Sequence, residues 1–219
     1  MKRKIAKVGL VAFALMLSAA AAQATIISSI NMEVRNSGYT VLGTDDPTSL
    51  LAQFALGSSV CDVSLDALDL VGSSQTPTCG GPTTNIATLF SLHIAQDGVV
   101  LFEFGADWGL GGIAFLTSGT SGDTGALTDD YWWNLDWNNS DVIGFGVPAT
   151  GSFTGSYTLN LLGFEGCCGG AMSLRYSDDY GETWQIATVN GVRPIPEPST
   201  LALLGLGLLG MGLVSRRKA

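Results

Sequence analysis

The central part of the sequence predicts an all-β fold, a single domain of the β-sandwich or jelly-roll type. Helical periodicity is nearly absent there, and short stretches rich in β-branched and aromatic residues recur along the chain. Gly, Asn, Asp, Ser and Pro separate these stretches, as turn residues separate strands. Closely spaced strands of this kind are typical of two antiparallel sheets packed face to face.

Eleven segments have the composition of strands: Ile26–Arg35, Tyr39–Leu42, Ser59–Leu70, Ala87–Ala95, Val99–Phe104, Ile113–Thr117, Tyr131–Trp137, Val142–Val147, Ser152–Leu162, Ala171–Tyr176 and Thr183–Asn190. Between two of them, Asp97 and Gly98 supply the positive φ angles of a tight turn, which predicts a hairpin. Ser49–Leu56 predicts a short helix, and Gly72–Thr84 and Ser118–Thr128 predict long surface loops.

The start of the chain has the layout of a secretory signal peptide over residues 1–24. Basic residues come first, the uncharged stretch Val8–Ala22 follows, and the small residues Ala22 and Ala24 precede a cleavage site for signal peptidase. A retained membrane anchor is the alternative. The apolar stretch is short for that role, because a spanning helix needs about 20 residues.

A second uncharged stretch, Leu201–Val214, lies near the end of the chain and is followed by Arg216 and Arg217. A helix of this length is shorter than the hydrocarbon core of about 30 Å, and its glycines weaken it further. The basic residues would remain on the cytoplasmic side. Such a span suits transient residence in the membrane better than permanent anchoring.

Pro196, Glu197 and Pro198 stand just before this stretch. Pro-Glu-Pro, a Leu/Gly-rich span and a terminal Arg cluster resemble, in this order, the PEP-CTERM sorting signal, here over residues 194–219. The resemblance implies a Gram-negative, exopolysaccharide-producing host and recognition by a membrane-embedded exosortase. It also implies cleavage near Pro-Glu-Pro and delivery to the cell surface or to the extracellular matrix of a biofilm. An ordinary tail anchor is the alternative.

The segment between the two signals, residues 25–193, is strongly acidic. Three arginines stand against 18 Asp and Glu residues, which gives a net charge of −15. Such a surface repels phosphates and argues against nucleic acid as a partner. It attracts divalent cations or basic partners, unless the charge only keeps a secreted domain soluble.

All four cysteines lie in this segment, and an oxidising compartment predicts disulfides. A bond between Cys61 and Cys79 leaves Cys167 and Cys168 as an adjacent pair, and cross-pairing is the alternative. Gly166–Gly170, around the adjacent pair, resembles the Cys-Cys-x-Gly mark of one group of PEP-CTERM proteins. We expect a rigid turn there, with a redox-active pair as the alternative.

Aspartates and tryptophans are concentrated in one stretch, which contains Asp123, Asp129, Asp130, Asp136 and Asp141 together with Trp132, Trp133 and Trp137. Oxygen-rich loops suit calcium, although no EF-hand pattern is present. The indoles can also stack on the apolar faces of sugar rings while carboxylates accept hydrogen bonds from sugar hydroxyls. The competing interpretation is strand alternation, with Trp132 on one side and Trp133 and Trp137 packed in the core.

Ser177–Trp184 matches the pattern Ser-x-Asp-x-Gly-x-Thr-Trp and is similar to the Asp-box, a structural β-hairpin. In that motif the aspartate binds turn amides, the glycine takes a positive φ and the tryptophan covers the base of the hairpin. One copy predicts a hairpin and no sialidase role. His93, the only histidine, is predicted to be an ordinary strand residue.

No complete catalytic constellation is present in the sequence, because no serine has a nucleophile-elbow context and a single histidine excludes a His-rich zinc site. We therefore expect a non-enzymatic surface or matrix protein with no cofactor except, on one hypothesis, calcium. A carbohydrate- or calcium-binding module is the alternative. A secreted glycoside-active enzyme is a third possibility, supported only by the many Asp and Glu residues, because glycoside hydrolysis uses a pair of carboxylates. The expected partners are signal peptidase, exosortase and exopolysaccharide, with the membrane only a transient one.

Overall fold

The computed structural model describes residues 25–72, 79, 84–117, 125–127, 131–147, 154–167 and 170–190. Both predicted signals lie outside these ranges, and with them Ala22, Ala24, Pro196, Glu197, Pro198, Arg216 and Arg217. Residues 23–193 form one compact unit. In the ranges given above, no helix has both the length and the apolar character that crossing a membrane requires.

The described residues form antiparallel strands and one short helix. In chain order they are β1 (Thr25–Asn36), α1 (Pro47–Leu56), β2 (Ser59–Leu65), β3 (Val71–Gly72), β4 (Ile86–Asp97), β5 (Val100–Gly105), β6 (Asp107–Trp108), β7 (Gly112–Thr117), β8 (Gly125–Leu127), β9 (Tyr131–Trp132), β10 (Val142–Val147), β11 (Thr154–Glu165), β12 (Ala171–Ser177) and β13 (Gln185–Ile186). One sheet has the order β2-β1-β4-β11-β7-β8, and the other has β10-β5-β12-β13 with β3 also paired to β12. Strands β6 and β9 pair with each other.

The two sheets pack face to face around one apolar core, which confirms the predicted β-sandwich. Alternate residues of β4, including Phe90, Leu92 and Ile94, are buried between the sheets. The ring of Phe90 meets that of Phe104 from the opposite sheet, with centroids 6.3 Å apart. Burial of side chains of this size stabilises each site by about 1.5–3 kcal/mol, so this shared layer holds the sheets together.

Helix α1 covers one end of the outer face of the larger sheet. Its buried residues Leu50 and Phe54 pack in a second apolar cluster with Leu162 and others from the sheet. The helix starts with a capping box, in which the Asp46 side chain accepts a hydrogen bond from the Ser49 N–H at 2.7 Å. This bond lowers the pKa of Asp46. Beyond the helix, this outer face carries polar residues such as Ser91 and His93 together with the exposed Ile26.

The turn at Asp97–Gly98 does not make the predicted hairpin. Gly98 does have a positive φ of 94°, but β4 and β5 belong to different sheets. The buried Gln96 side chain supports the corner, because its Nε2 donates to the carbonyl oxygens of Gly98 at 2.9 Å and Val147 at 2.7 Å. The turn therefore carries the chain from one sheet to the other.

Several predicted strands are shorter than expected or absent. Tyr39–Leu42 is a loop, because the Tyr39 ring packs against Phe164 and its hydroxyl donates to Asp45. The strand that starts at Ser59 ends at Leu65, ahead of Leu70, whose φ is +52°. Within the predicted loop Ser118–Thr128, residues 125–127 form β8.

Cys61 and Cys79 form a disulfide with their Cα atoms 5.3 Å apart, which confirms that pairing and rules out cross-pairing. Cys167 is also disulfide-bonded. Its backbone N–H donates to the buried carboxylate of Glu165 at 2.7 Å. Cys168 lies outside the described residues, so the adjacent pair and its Cys-Cys-x-Gly resemblance stay predictions.

Candidate functional site

Residues 131–141, which we call the tryptophan loop, comprise β9 and the turns that lead from it to β10. The predicted strand Tyr131–Trp137 is wrong after Trp132, because Asn134 and Leu135 have positive φ values of 51° and 58°. Two consecutive residues in the left-handed region end a strand and reverse the chain. Simple alternation therefore does not apply, and the three tryptophans have three different environments.

Trp133 is a core residue and anchors the loop. Its side chain is only 2% exposed, and its Nε1 donates to the carbonyl oxygen of Ala171 at 2.8 Å. The indole lies against Gly105 so closely that a Cβ there would overlap it. The interpretation of Trp133 as core is confirmed, and it cannot contact a ligand.

Trp137 holds the loop to the outer face of the smaller sheet. The guanidinium carbon of Arg175 lies 4.4 Å from the ring centroid of Trp137 and 4.7 Å from that of Trp184, so the cation sits between two indoles. Arg175 also donates from Nε to Glu103 at 2.6 Å. Because Trp137 contacts Trp133 as well, at 4.6 Å between centroids, it is half-buried and serves as a brace.

Trp132 is the tryptophan that the loop presents to solvent, with 58% of its surface exposed. Its backbone is fixed on both sides: the N–H donates to Asp141 Oδ2 at 3.3 Å, and the carbonyl oxygen accepts from Asn139 Nδ2 at 3.0 Å. Strand pairing with Asp107 adds a further restraint. An exposed indole thus stands on a backbone that its neighbours hold in place.

The carboxylates of the loop already have partners in the described part of the chain. Asp136 Oδ1 accepts hydrogen bonds from the backbone N–H of Asn138 at 2.9 Å and from its side chain at 3.2 Å. Among the described residues, no group of three or more His, Cys, Asp or Glu side chains is arranged to hold a metal. Since Asp123, Asp129 and Asp130 lie outside those residues, the calcium site stays a prediction.

Ser177–Trp184 forms the predicted structural hairpin between β12 and β13. Asp179 Oδ1 accepts from the Thr183 N–H at 2.9 Å and from the Ser177 hydroxyl at 2.7 Å. Gly181 has the expected positive φ of 90°. Trp184 follows this turn and stacks on Arg175. Sequence reasoning missed this role, because Arg175 pairs with Ile186, and this pairing brings the preceding Trp184 close to it.

Several solved structures are similar to this chain. A PA14 sugar-binding domain from an RTX adhesin has 11% identity and a TM-score of 0.43, covering 74% of this chain and 99% of that one. The A domain of epithelial adhesin 9 from Candida glabrata, in a complex with Galb1-3GlcNAc, has 10% identity and a TM-score of 0.46, covering 75% and 91%. The PA14 domain of the MpAFP antifreeze protein has 10% identity and a TM-score of 0.43, covering 77% and 90%.

Among curated proteins, none matches the sequence of this chain. Residues 194–218, in contrast, match the family model of the PEP-CTERM protein-sorting motif. The match contains Pro-Glu-Pro, the apolar span and the arginines, in the order that the sequence indicated. The chain is therefore an exported protein that carries a PEP-CTERM sorting motif at residues 194–218.

Proposed function

We propose that the exported domain is a non-catalytic carbohydrate-binding module that an exosortase system delivers to the exopolysaccharide layer of the cell surface. The observation that carries the proposal is the exposure of Trp132 on a loop that two other tryptophans hold in place. Signal peptidase would remove residues 1–24, and exosortase would act at the sorting motif. The membrane would hold the protein only between these two steps.

The geometry of the tryptophan loop suits a sugar ring. An indole has a broad apolar face, which matches the C–H face of a pyranose, and Trp132 is exposed to solvent. The carboxylate of Asp141 and the amide of Asn139 lie beside the Trp132 backbone. A carboxylate accepts hydrogen bonds from sugar hydroxyls, and a side-chain amide can both donate to them and accept from them.

Rigidity adds to affinity in this arrangement. The loop is fixed by Trp133 in the core and by the stack of Trp137 on Arg175, so little conformational entropy remains to be lost when a ligand binds. Trp132 would then contribute its apolar contact without first having to be ordered. The same bracing makes Trp132 replaceable without loss of the fold.

Binding of the exported protein to a panel of polysaccharides, measured by affinity electrophoresis, tests the proposal. Trp132→Ala should weaken binding at least tenfold. Leu135→Ala should leave it unchanged, because Leu135 is a similarly exposed apolar residue of the same loop without an aromatic face. Equal binding by the Trp132→Ala variant and the unaltered protein would overturn the assignment, and release of reducing ends from the polysaccharide would overturn the non-catalytic part.

A further inference from the structure

The outer face of the larger sheet contains a groove on the side of the sandwich opposite the tryptophan loop. The groove has a volume of about 340 Å³, and its lining includes Ser28 of β1, His93 of β4, and Ser156 and Thr158 of β11. Pockets for small ligands occupy about 300–1,000 Å³, so this volume is sufficient for one or two sugar rings. His93 is a strand residue, as predicted, and its imidazole lies on this exposed face.

A β-bulge in β1 shapes the groove. Ile27 pairs with Ile94 and Ser29 pairs with His93, which leaves Ser28 as an extra residue between them. The Ser28 hydroxyl donates to the His93 carbonyl oxygen at 3.2 Å across the strand boundary. Bulges redirect side chains and are over-represented next to functional sites. Here the bulged residue, Ser28, is part of the groove lining.

Neutral hydrogen-bonding groups continue from the groove across the sheet. Thr158 Oγ1 lies 3.0 Å from His93 Nδ1. In the next row, the Ser91 hydroxyl donates to Asn160 Oδ1 at 2.9 Å, and Asn160 Nδ2 donates to Thr117 Oγ1 at 3.2 Å. Asn160 is buried, so these bonds hold β4, β11 and β7 together beside the groove.

The charge of the lining distinguishes the groove from the rest of the domain. None of the described residues that line it is an Asp, Glu, Lys or Arg, although the segment 25–193 has a net charge of −15. The nearest acidic positions in the register are Asp97, at the end of β4, and Glu33, which is paired with Arg35. A cationic ligand would find no counter-charge in the lining, whereas the hydroxyl and imidazole groups there complement an uncharged polyhydroxyl ligand.

We propose that this groove is a second carbohydrate site, specific for neutral oligosaccharides. It is independent of Trp132, because Trp132 lies in β9, which pairs with β6 and not with the strands that line the groove. A domain with both sites bridges two polysaccharide chains, and simultaneous engagement raises the avidity well above either single affinity. This bridging rests on the proposed function, whereas binding in the groove does not.

A nuclear magnetic resonance titration of the exported protein with cellotetraose, maltotetraose and laminaritetraose tests the groove. His93 is the only histidine of the sequence, so its ring signals report on the groove alone. At least one of these neutral probes should shift the His93 ring signals saturably, in the unaltered protein and in Trp132→Ala alike. Ser156→Glu should weaken that response at least tenfold. Thr40→Glu, which adds the same charge at an exposed position outside the groove, should not.

The outcomes separate the two sites. If the His93 signals do not respond to any probe, the groove proposal is overturned whatever the Trp132 indole signal does. If the His93 signals shift with protein concentration instead of with sugar, the face is a self-association surface and the proposal is equally overturned. A saturable response of His93 supports the groove whether or not the Trp132 indole signal responds, because the tryptophan loop is tested separately by polysaccharide binding of the Trp132→Ala variant.

Discussion

The indole of Trp108 lies directly on the backbone of Gly163, in the middle of the larger sheet, where a Cβ would occupy the same space. The same ring also covers Gly112 of β7, which pairs with Gly163. Trp108 is 1% exposed and its ring centroid lies 5.0 Å from that of Phe104. Two adjacent strands therefore have glycine at the paired positions 112 and 163, and the Trp108 ring fills the space that side chains would otherwise occupy.

Gly163→Ala should lower the free energy of unfolding by about 1–3 kcal/mol, the usual cost of overpacking a dense core. Gly144→Ala is the matched control, because no atom lies within 4 Å of the position its Cβ would take. That variant should be neutral or slightly stabilising, since alanine is less costly than glycine in a strand. Denaturant unfolding measures both, and equal midpoints for the two variants would contradict this account of Trp108.

Replacing both Cys61 and Cys79 with serine should lower the free energy of unfolding by about 3 kcal/mol, because their bond closes a loop of 18 residues. The bond ties β2 to the segment that contains Cys79. Chemical denaturation under non-reducing conditions measures the change. An unchanged midpoint would mean that the bond contributes nothing to the stability of the sandwich.

Arg175→Lys should destabilise the domain by about 1 kcal/mol, because an ammonium group cannot lie flat between two indoles. Tryptophan fluorescence should change as well, since Trp137 and Trp184 both contact the guanidinium. An unchanged melting temperature together with unchanged tryptophan fluorescence would contradict a stabilising role for the double stack.

The helix cap predicts a pH dependence. The pKa of Asp46 is lowered in the folded protein by its bond from the Ser49 N–H, so this contribution to stability is present above the unfolded pKa of 3.8. It is lost as the pH falls through the lower, folded pKa. Asp46→Asn keeps an oxygen acceptor but removes the titration. Its melting temperature should therefore change less than that of the unaltered protein below pH 4, and parallel pH profiles would refute the role of the cap.

Sorting should depend on Pro196, Glu197 and Pro198. Replacing these three with alanine, while the apolar span stays intact, should retain the protein in the inner membrane, as cell fractionation would show. Replacement of Ser199 and Thr200 with alanine is the neighbouring control and should leave surface delivery unchanged. Normal surface display of the triple variant would mean that the span acts as an ordinary anchor.

The sequence predicted the fold class and most strands because strand composition and turn residues are local signals. Val142–Val147 has the predicted bounds, and the helix differs only by the Pro47 and Thr48 that precede Ser49. The failure at Asp97–Gly98 has a different origin. The turn itself is local, but the choice of sheet for the following strand depends on pairing partners far along the chain.

The candidate site was predicted in part, for the same reason. The stretch with Trp132 and Trp137 was recognised from composition alone. Which tryptophan is buried and which is exposed depends on two left-handed residues and on Gly105 in another strand, neither of which alternation can predict. The groove at His93 was not predicted. Its serines, threonine and histidine lie in three separate strands and form no sequence motif, and only the strand register brings them together.

The position of β11 sets the order in which the domain can assemble. This late segment pairs with β4 on one side and with β7 on the other, and so completes the middle of the larger sheet. A chain that crosses the membrane from its N-terminal end cannot close the sheet until residue 165 has emerged. Non-local pairing of this kind is slow. One edge of β4 and one edge of β7 therefore remain open until shortly before the sorting motif at residue 194 follows.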